Sequence, residues 1–128
     1  MKRSETIEND LSLNTSSLIT LNFEVFKKEI LNDNEMVLVA FVADWSGPSQ
    51  ILDQIFNKLD GKVRNRIKIL KIDVARNKKL AERFNVQNFP TLIFFKKGEI
   101  KEVITGFVSN KLLTSRLDSL LNKEETQG

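Results

Sequence analysis

The sequence predicts an α/β domain, a central mixed sheet of four to five strands with helices on both faces. Three observations carry that expectation. Met36-Val37-Leu38-Val39-Ala40-Phe41-Val42-Ala43 is short, rich in β-branched residues and free of polar alternation, as a strand covered on both faces is. Ile67 to Val74 is a second such strand, and helical periodicity lies between and after the two. Near the end, two apolar runs flank Lys97-Gly98, a turn signal that joins antiparallel neighbours. Alternation first and a hairpin last give parallel strands followed by antiparallel ones.

The elements follow in order. Ser17-Leu18-Ile19-Thr20 is read as a short first strand, after a polar, mixed-charge and poorly ordered tail over residues 1–15. Asn22 to Leu31 reads as a helix with Phe23, Phe26 and Ile30 on one face, and Asn32-Asp33-Asn34 breaks it. The strand at Met36 runs into Asp44-Trp45-Ser46-Gly47-Pro48-Ser49-Gln50. Pro48 suits the first turn of a helix whose stripe is Ile51, Leu52, Ile55, Phe56 and Leu59, with Gly61 as its terminator. Asn77 to Phe84 is a short helix, with Asn77 as its cap and Leu80, Ala81 and Phe84 inward. Leu92 to Phe95 and Ile100 to Thr105 are the hairpin strands, and Gly106 marks a bend or bulge. Ser109 caps a last helix with Leu113, Leu117, Leu120 and Leu121 inside. The domain is therefore placed at residues 16–122, ahead of a polar tail at 123–128.

Composition narrows the chemistry. A chain of 128 residues with 41% hydrophobic and 29% charged residues suits one soluble domain with its own core. It holds no cysteine and no histidine. That excludes disulfides, thiolate catalysis, cysteine metal sites, and Ser-His or Cys-His nucleophiles in this chain. The net charge of +3 comes from lysines scattered among acids, so no nucleic-acid surface is expected. The N-terminus lacks an apolar core of signal-peptide length, and no run approaches a membrane span. A cytoplasmic monomer without cofactor or metal is the expectation.

Several stretches together carry a resemblance. Phe41-Val42-Ala43-Asp44-Trp45-Ser46-Gly47-Pro48-Ser49-Gln50, then Ile72-Asp73-Val74, Phe89-Pro90-Thr91, Phe94-Phe95-Lys96-Lys97-Gly98-Glu99 and Gly106 occur in this order. Over residues 17–121 the chain resembles thioredoxin of the bacterial type. The resemblance puts the family's Trp-Cys-Gly-Pro-Cys active site at residues 45–49. It also implies that Pro90 follows a cis peptide bond and that Gly106 lies beside the active site.

The departures bear on function. Serines Ser46 and Ser49 stand where the family has its two cysteines, so those positions are degenerate and no catalytic residue remains. A hydroxyl stays protonated at neutral pH and cannot take part in thiol–disulfide exchange. The family also commonly holds a buried Asp and a nearby Lys that move protons; here those positions are Ala40 and Ile69. Both losses favour a lineage released from redox work. The alternative is a thioredoxin protein-disulfide oxidoreductase whose cysteines at positions 46 and 49 were replaced by serine. Ser46 as a hydrolytic nucleophile has no base, and an anion contact at the helix N-terminus is unspecific.

The resemblance implies a groove lined by Trp45, Gly47, Pro48, Phe89, Pro90, Gly106 and Phe107. An extended segment of another protein lies there and pairs with the backbone at Phe89, which needs no cysteine. Trp45, Phe89 and Phe107 then form an aromatic partner surface, unless the two phenylalanines turn into the core. The expected function is a redox-inactive, chaperone-type binding module.

Overall fold

The computed structural model describes residues 23–31, 36–43 and 47–127, with side chains described at 23–31, 36–43 and 51–122. The expected strand at 17–20 lies outside the described residues. β1 (Met36–Val42) sits inside the sheet, with β2 (Ile67–Asp73) on one side and β3 (Thr91–Lys96) on the other. β4 (Glu99–Thr105) completes the order β2-β1-β3-β4. β1 and β2 run parallel, while β1–β3 and β3–β4 are antiparallel. The mixed sheet expected from the sequence is the one observed.

The unalternating run at β1 has its explanation in the layers above and below it. All seven of its residues are buried. Met36, Leu38, Ala40 and Val42 face one layer; Val37, Val39 and Phe41 face the other. The first layer is filled by α2 (Gly47–Asn57) through Leu52, Ile55 and Phe56, and by α5 (Asn110–Gln127) through Leu113, Leu117 and Leu121. Each side chain of this size contributes about 1.5–3 kcal/mol when fully removed from water. The second layer is filled by α1 (Phe23–Ile30) through Phe26 and Ile30, and by α4 (Lys78–Arg83) through Leu80 and Ala81.

The second layer is aromatic. Phe84 packs its ring 5.3 Å from Phe26, 6.0 Å from Phe95 and 6.1 Å from Phe41, in tilted and edge-on arrangements. At its margin Lys68 and Glu29 form a buried ion pair, Nζ to Oε1 at 2.5 Å. Lys68 sits in a strand that reads as apolar, and nothing in local sequence reveals that α1 delivers its counter-charge from 39 residues away.

Several local expectations are corrected. Gly61 does not end α2: that helix stops at Asn57, and Gly61 opens a one-turn helix, α3 (Gly61–Arg64), that was not anticipated. Gly61 lacks the left-handed φ of a helix terminator. Ile51 belongs to the expected stripe but is exposed, because the core arc of α2 is narrower than the apolar one. Asn77 occupies the N-cap position of α4 without capping it. Its Nδ2 instead donates 2.9 Å back to the Asp73 carbonyl and ties the helix to the end of β2. The backbone of α5 continues to Gln127, into the segment read as a polar tail.

Other signals hold. Ser109 Oγ accepts from the Leu112 amide at 3.0 Å, the N-cap bond of α5. Lys97 and Gly98 have φ of 52° and 83°, two successive left-handed residues that close a tight hairpin. A Cβ at Gly98 would also meet Leu31 Cδ2 at 2.6 Å, but that is the tip of an exposed side chain free to move aside, so it is the left-handed φ that calls for glycine there. No helix among the described residues is long and apolar enough to cross a membrane.

Candidate functional site

The sheet's pairing gathers four chain segments at one end. Phe41 lies opposite Thr91, Thr91 opposite Thr105, and Val42 opposite Asp73. The end of β1, the turn after β2, the loop into β3 and the exit from β4 therefore share that end.

Each segment has a local cause. After β2, the Asp73 carboxylate accepts from the Ala75 amide at 3.1 Å and reverses the chain. α4 ends in a left-handed Asn85, with φ of 56°. The Asn85 amide donates to Glu82 O and the Val86 amide to Ala81 O, both at 3.0 Å. This reciprocal pair is a Schellman stop built on asparagine rather than glycine. It launches the loop 85–90, which the sequence shows only as an irregular stretch. Thr91 Oγ1 then donates to Asn88 O at 2.6 Å and braces the loop against the start of β3.

The Phe89–Pro90 bond is cis, as the resemblance implies. The Gly106 amide donates to Pro90 O at 2.8 Å, and Gly106 takes φ of 83°, a bend rather than a bulge. Phe89-Pro90 and Gly106-Phe107 are thus joined across the end of the hairpin. Pro90 is buried, Phe89 is half-buried, and Phe107 is 62% exposed, while the next residue, Val108, is buried at 2%. Of the two phenylalanines, Phe107 does not turn into the core. Trp45 and Ser46 lie outside the described residues. Gly47, Pro48 and Ser49 are described by backbone alone, in the first turn of α2.

Behind the site the first layer is closed by hydrocarbon. Ala40 is 0% and Ile69 1% exposed, both within the aliphatic cluster. A charged pair stands beside them that sequence reading did not single out. Lys71 is the β2 partner of Ala40, and its Nζ lies 2.6 Å from Asp53 Oδ1 on α2. Lys71 is two residues beyond Ile69, hence on the same side of the strand, and that spacing is the signal that would have found it. Among the described residues no group of three or more acids, histidines or cysteines is placed to hold a metal ion.

A parallel pair extended by an antiparallel hairpin, helices on both faces and a cis-proline loop leading into the hairpin define the thioredoxin-like class. The family model described as Thioredoxin matches residues 17–119. The chain belongs to the thioredoxin family. It is 34% identical over 98 residues to a thioredoxin of Porphyra purpurea, covering 77% of this chain and 88% of that one. Against a thioredoxin of Pyropia yezoensis the identity is 32% over 97 residues, covering 76% and 91%. A solved thioredoxin mutant from Halobacterium salinarum NRC-1 superposes with a TM-score of 0.66 at 29% identity, over 79% of this chain and 88% of that one.

Proposed function

We propose that this chain is a redox-inactive member of its family that binds an extended segment of another protein across the cis-proline end of the sheet. One observation carries the reading. The framework that would hold a polypeptide is intact at Phe89-Pro90 and Gly106-Phe107, while the chain contains no cysteine. Strand addition at such an edge uses main-chain hydrogen bonds and side-chain contacts, and no thiol. Disulfide exchange needs a thiolate to attack sulfur, and serine at 46 and 49 offers none. The apolar closure at Ala40 and Ile69 supports the same reading, since neither side chain moves a proton.

The family itself favours a second reading, a protein-disulfide oxidoreductase with its cysteines replaced. A thiolate at 46 would attack a substrate disulfide, and the thiol at 49 would resolve the mixed disulfide. The discriminating experiment restores both residues, Ser46→Cys with Ser49→Cys, and follows disulfide reduction coupled to a thioredoxin reductase. The binding reading expects slow or absent turnover; brisk turnover would carry the second reading instead. In the unaltered chain, Trp45→Ala with Phe89→Ala should abolish binding of an extended peptide, and unchanged binding ends the groove reading.

A further inference from the structure

We infer that the acidic segment Glu5-Thr6-Ile7-Glu8-Asn9-Asp10 of this chain docks on a basic seam between α1 and α4, on the side of the sheet away from α2. The contact stands or falls apart from the binding reading above, because it uses none of the same residues.

The seam is built around one ring. Phe23 is half-buried against the aromatic layer. The guanidinium carbon of Arg83 in α4 lies 3.6 Å from the ring centroid, and Nζ of Lys27 in α1 lies 5.0 Å from it. The negative face of the ring attracts each cation. The two cations are thereby held within a Debye length of each other at about 0.1 M salt, where like charges repel. An anion beside them relieves that repulsion. A stacked guanidinium also keeps its N–H edge available to a carboxylate.

The surrounding charge is mostly of one sign. Glu29 is engaged by Lys68, and the other charges of α1 and α4 are Lys27, Lys28, Lys78, Lys79 and Arg83 against Glu24 and Glu82. Glu24 reaches Lys27 at 3.4 Å, but its side chain is 76% exposed, so that pair is weak. Among the described residues, Lys28, Lys78, Lys79 and Arg83 have no carboxylate at ion-pair distance. This face therefore holds cations that its own helices do not neutralise, in a chain whose net charge is only +3.

The chain itself supplies the complement. After Lys2 and Arg3, residues 5–10 carry Glu5, Glu8 and Asp10 and no base. Residues 11–22 are uncharged and lead directly to Phe23, the ring at the centre of the seam. From Asp10 to Phe23 the chain can span up to roughly 40 Å, at about 3.3 Å per residue, more than the diameter of a small domain. Length therefore does not prevent the contact. Tethering also gives the acids a high effective concentration at the seam, so exposed ion pairs that are weak singly suffice together. Other acidic partners then reach this face only when the segment leaves it.

The test exploits the absence of cysteine, which makes Ile7→Cys a unique site for a nitroxide label. Broadening of backbone amide signals by the nitroxide reports which residues position 7 approaches. At about 50 mM NaCl the amides of Lys27, Lys79 and Arg83 should broaden, while those of Leu113 and Leu117, across the sheet, should not. At about 500 mM NaCl the broadening should fall at least about threefold, because the Debye length contracts. Glu5→Gln with Glu8→Gln and Asp10→Asn should remove it, and so should Lys79→Ala with Arg83→Ala, both exposed positions. No broadening at the seam, equal broadening on both faces, or broadening that survives salt or the neutralised segment overturns the docking. A second sample mixes spin-labelled, isotopically unenriched chains with enriched, unlabelled ones. It should show no broadening; a signal there would give the seam to another copy's segment and overturn the contact within one chain.

Discussion

The two faces of the sheet bury different chemistry. The α1–α4 face is aromatic, built on Phe26, Phe41, Phe84 and Phe95, and it accepts a buried ion pair between Lys68 and Glu29. The α2–α5 face, which backs the site, is largely aliphatic and closes completely at Ala40 and Ile69. Its charged pair, Lys71 with Asp53, stands at the margin, with the Asp53 side chain 46% exposed. The chain therefore tolerates buried charge where a partner is supplied. The hydrocarbon at positions 40 and 69 is a property of that one face and not of the whole core.

The comparison can be broken from either side. The largest effect is expected at the buried pair. Lys68→Met leaves the Glu29 carboxylate buried without its ammonium and should cost about 3–5 kcal/mol, read as a fall in the denaturant midpoint. Glu29→Leu with Lys68→Met together should recover most of that loss, since a hydrophobic pair is often neutral or better. A double variant as unstable as the single one would show that the pair itself, and not its desolvation, holds α1 in place.

A carboxylate placed on the other face tests its closure. Ala40→Asp should destabilise by about 2–4 kcal/mol near neutral pH, because it puts a carboxylate at a fully buried position and the neighbouring Lys71 ammonium is already engaged by Asp53. Burial raises the folded-state pKa of such a group above its unfolded value. The native state then binds more protons, so the penalty shrinks as the pH is lowered toward the unfolded carboxylate pKa, about 3.9, and is fully felt above the raised one. Urea titrations at about pH 4.5 and about pH 8, on the two sides of that window, should differ in this direction. A pH-independent loss would mean that the site relaxes open to water.

Smaller effects sharpen the picture. Ser109→Ala removes the N-cap of α5 and should lower stability by about 1 kcal/mol, measured by thermal unfolding. Asp53→Asn should change stability by only about 0.2–1 kcal/mol, given the exposure of that carboxylate, and the effect should fade in salt. A loss much above that range would show that Lys71 depends on Asp53 as Lys68 does on Glu29.

Much of the fold is legible residue by residue. The unbroken apolar run at β1, the amphipathic stripe of α2, the Lys97-Gly98 turn and the Ser109 cap are local signals, and each appears where its physics requires. The misreadings are equally instructive. Gly61 looked like a stop because glycine often is one, yet the φ it takes is decided by the chain that follows. Asn77 looked like a cap, but the Asp73 carbonyl offered its side chain another acceptor. At the site, Phe89, Pro90, Gly106 and Phe107 were legible as positions. Whether the rings pointed in or out was not, because that depends on what fills the layers beneath them.

By itself the sequence determined the class of fold, the order of its elements and the absence of a thiol at residues 46 and 49, since periodicity and side-chain chemistry are local properties. Tertiary structure alone decided that Lys68 meets Glu29, that Lys71 meets Asp53 beside Ala40, and that Phe107 stands exposed at the end of the hairpin. Those outcomes depend on strand register and on helices delivered from distant parts of the chain. No window of neighbouring residues contains that information.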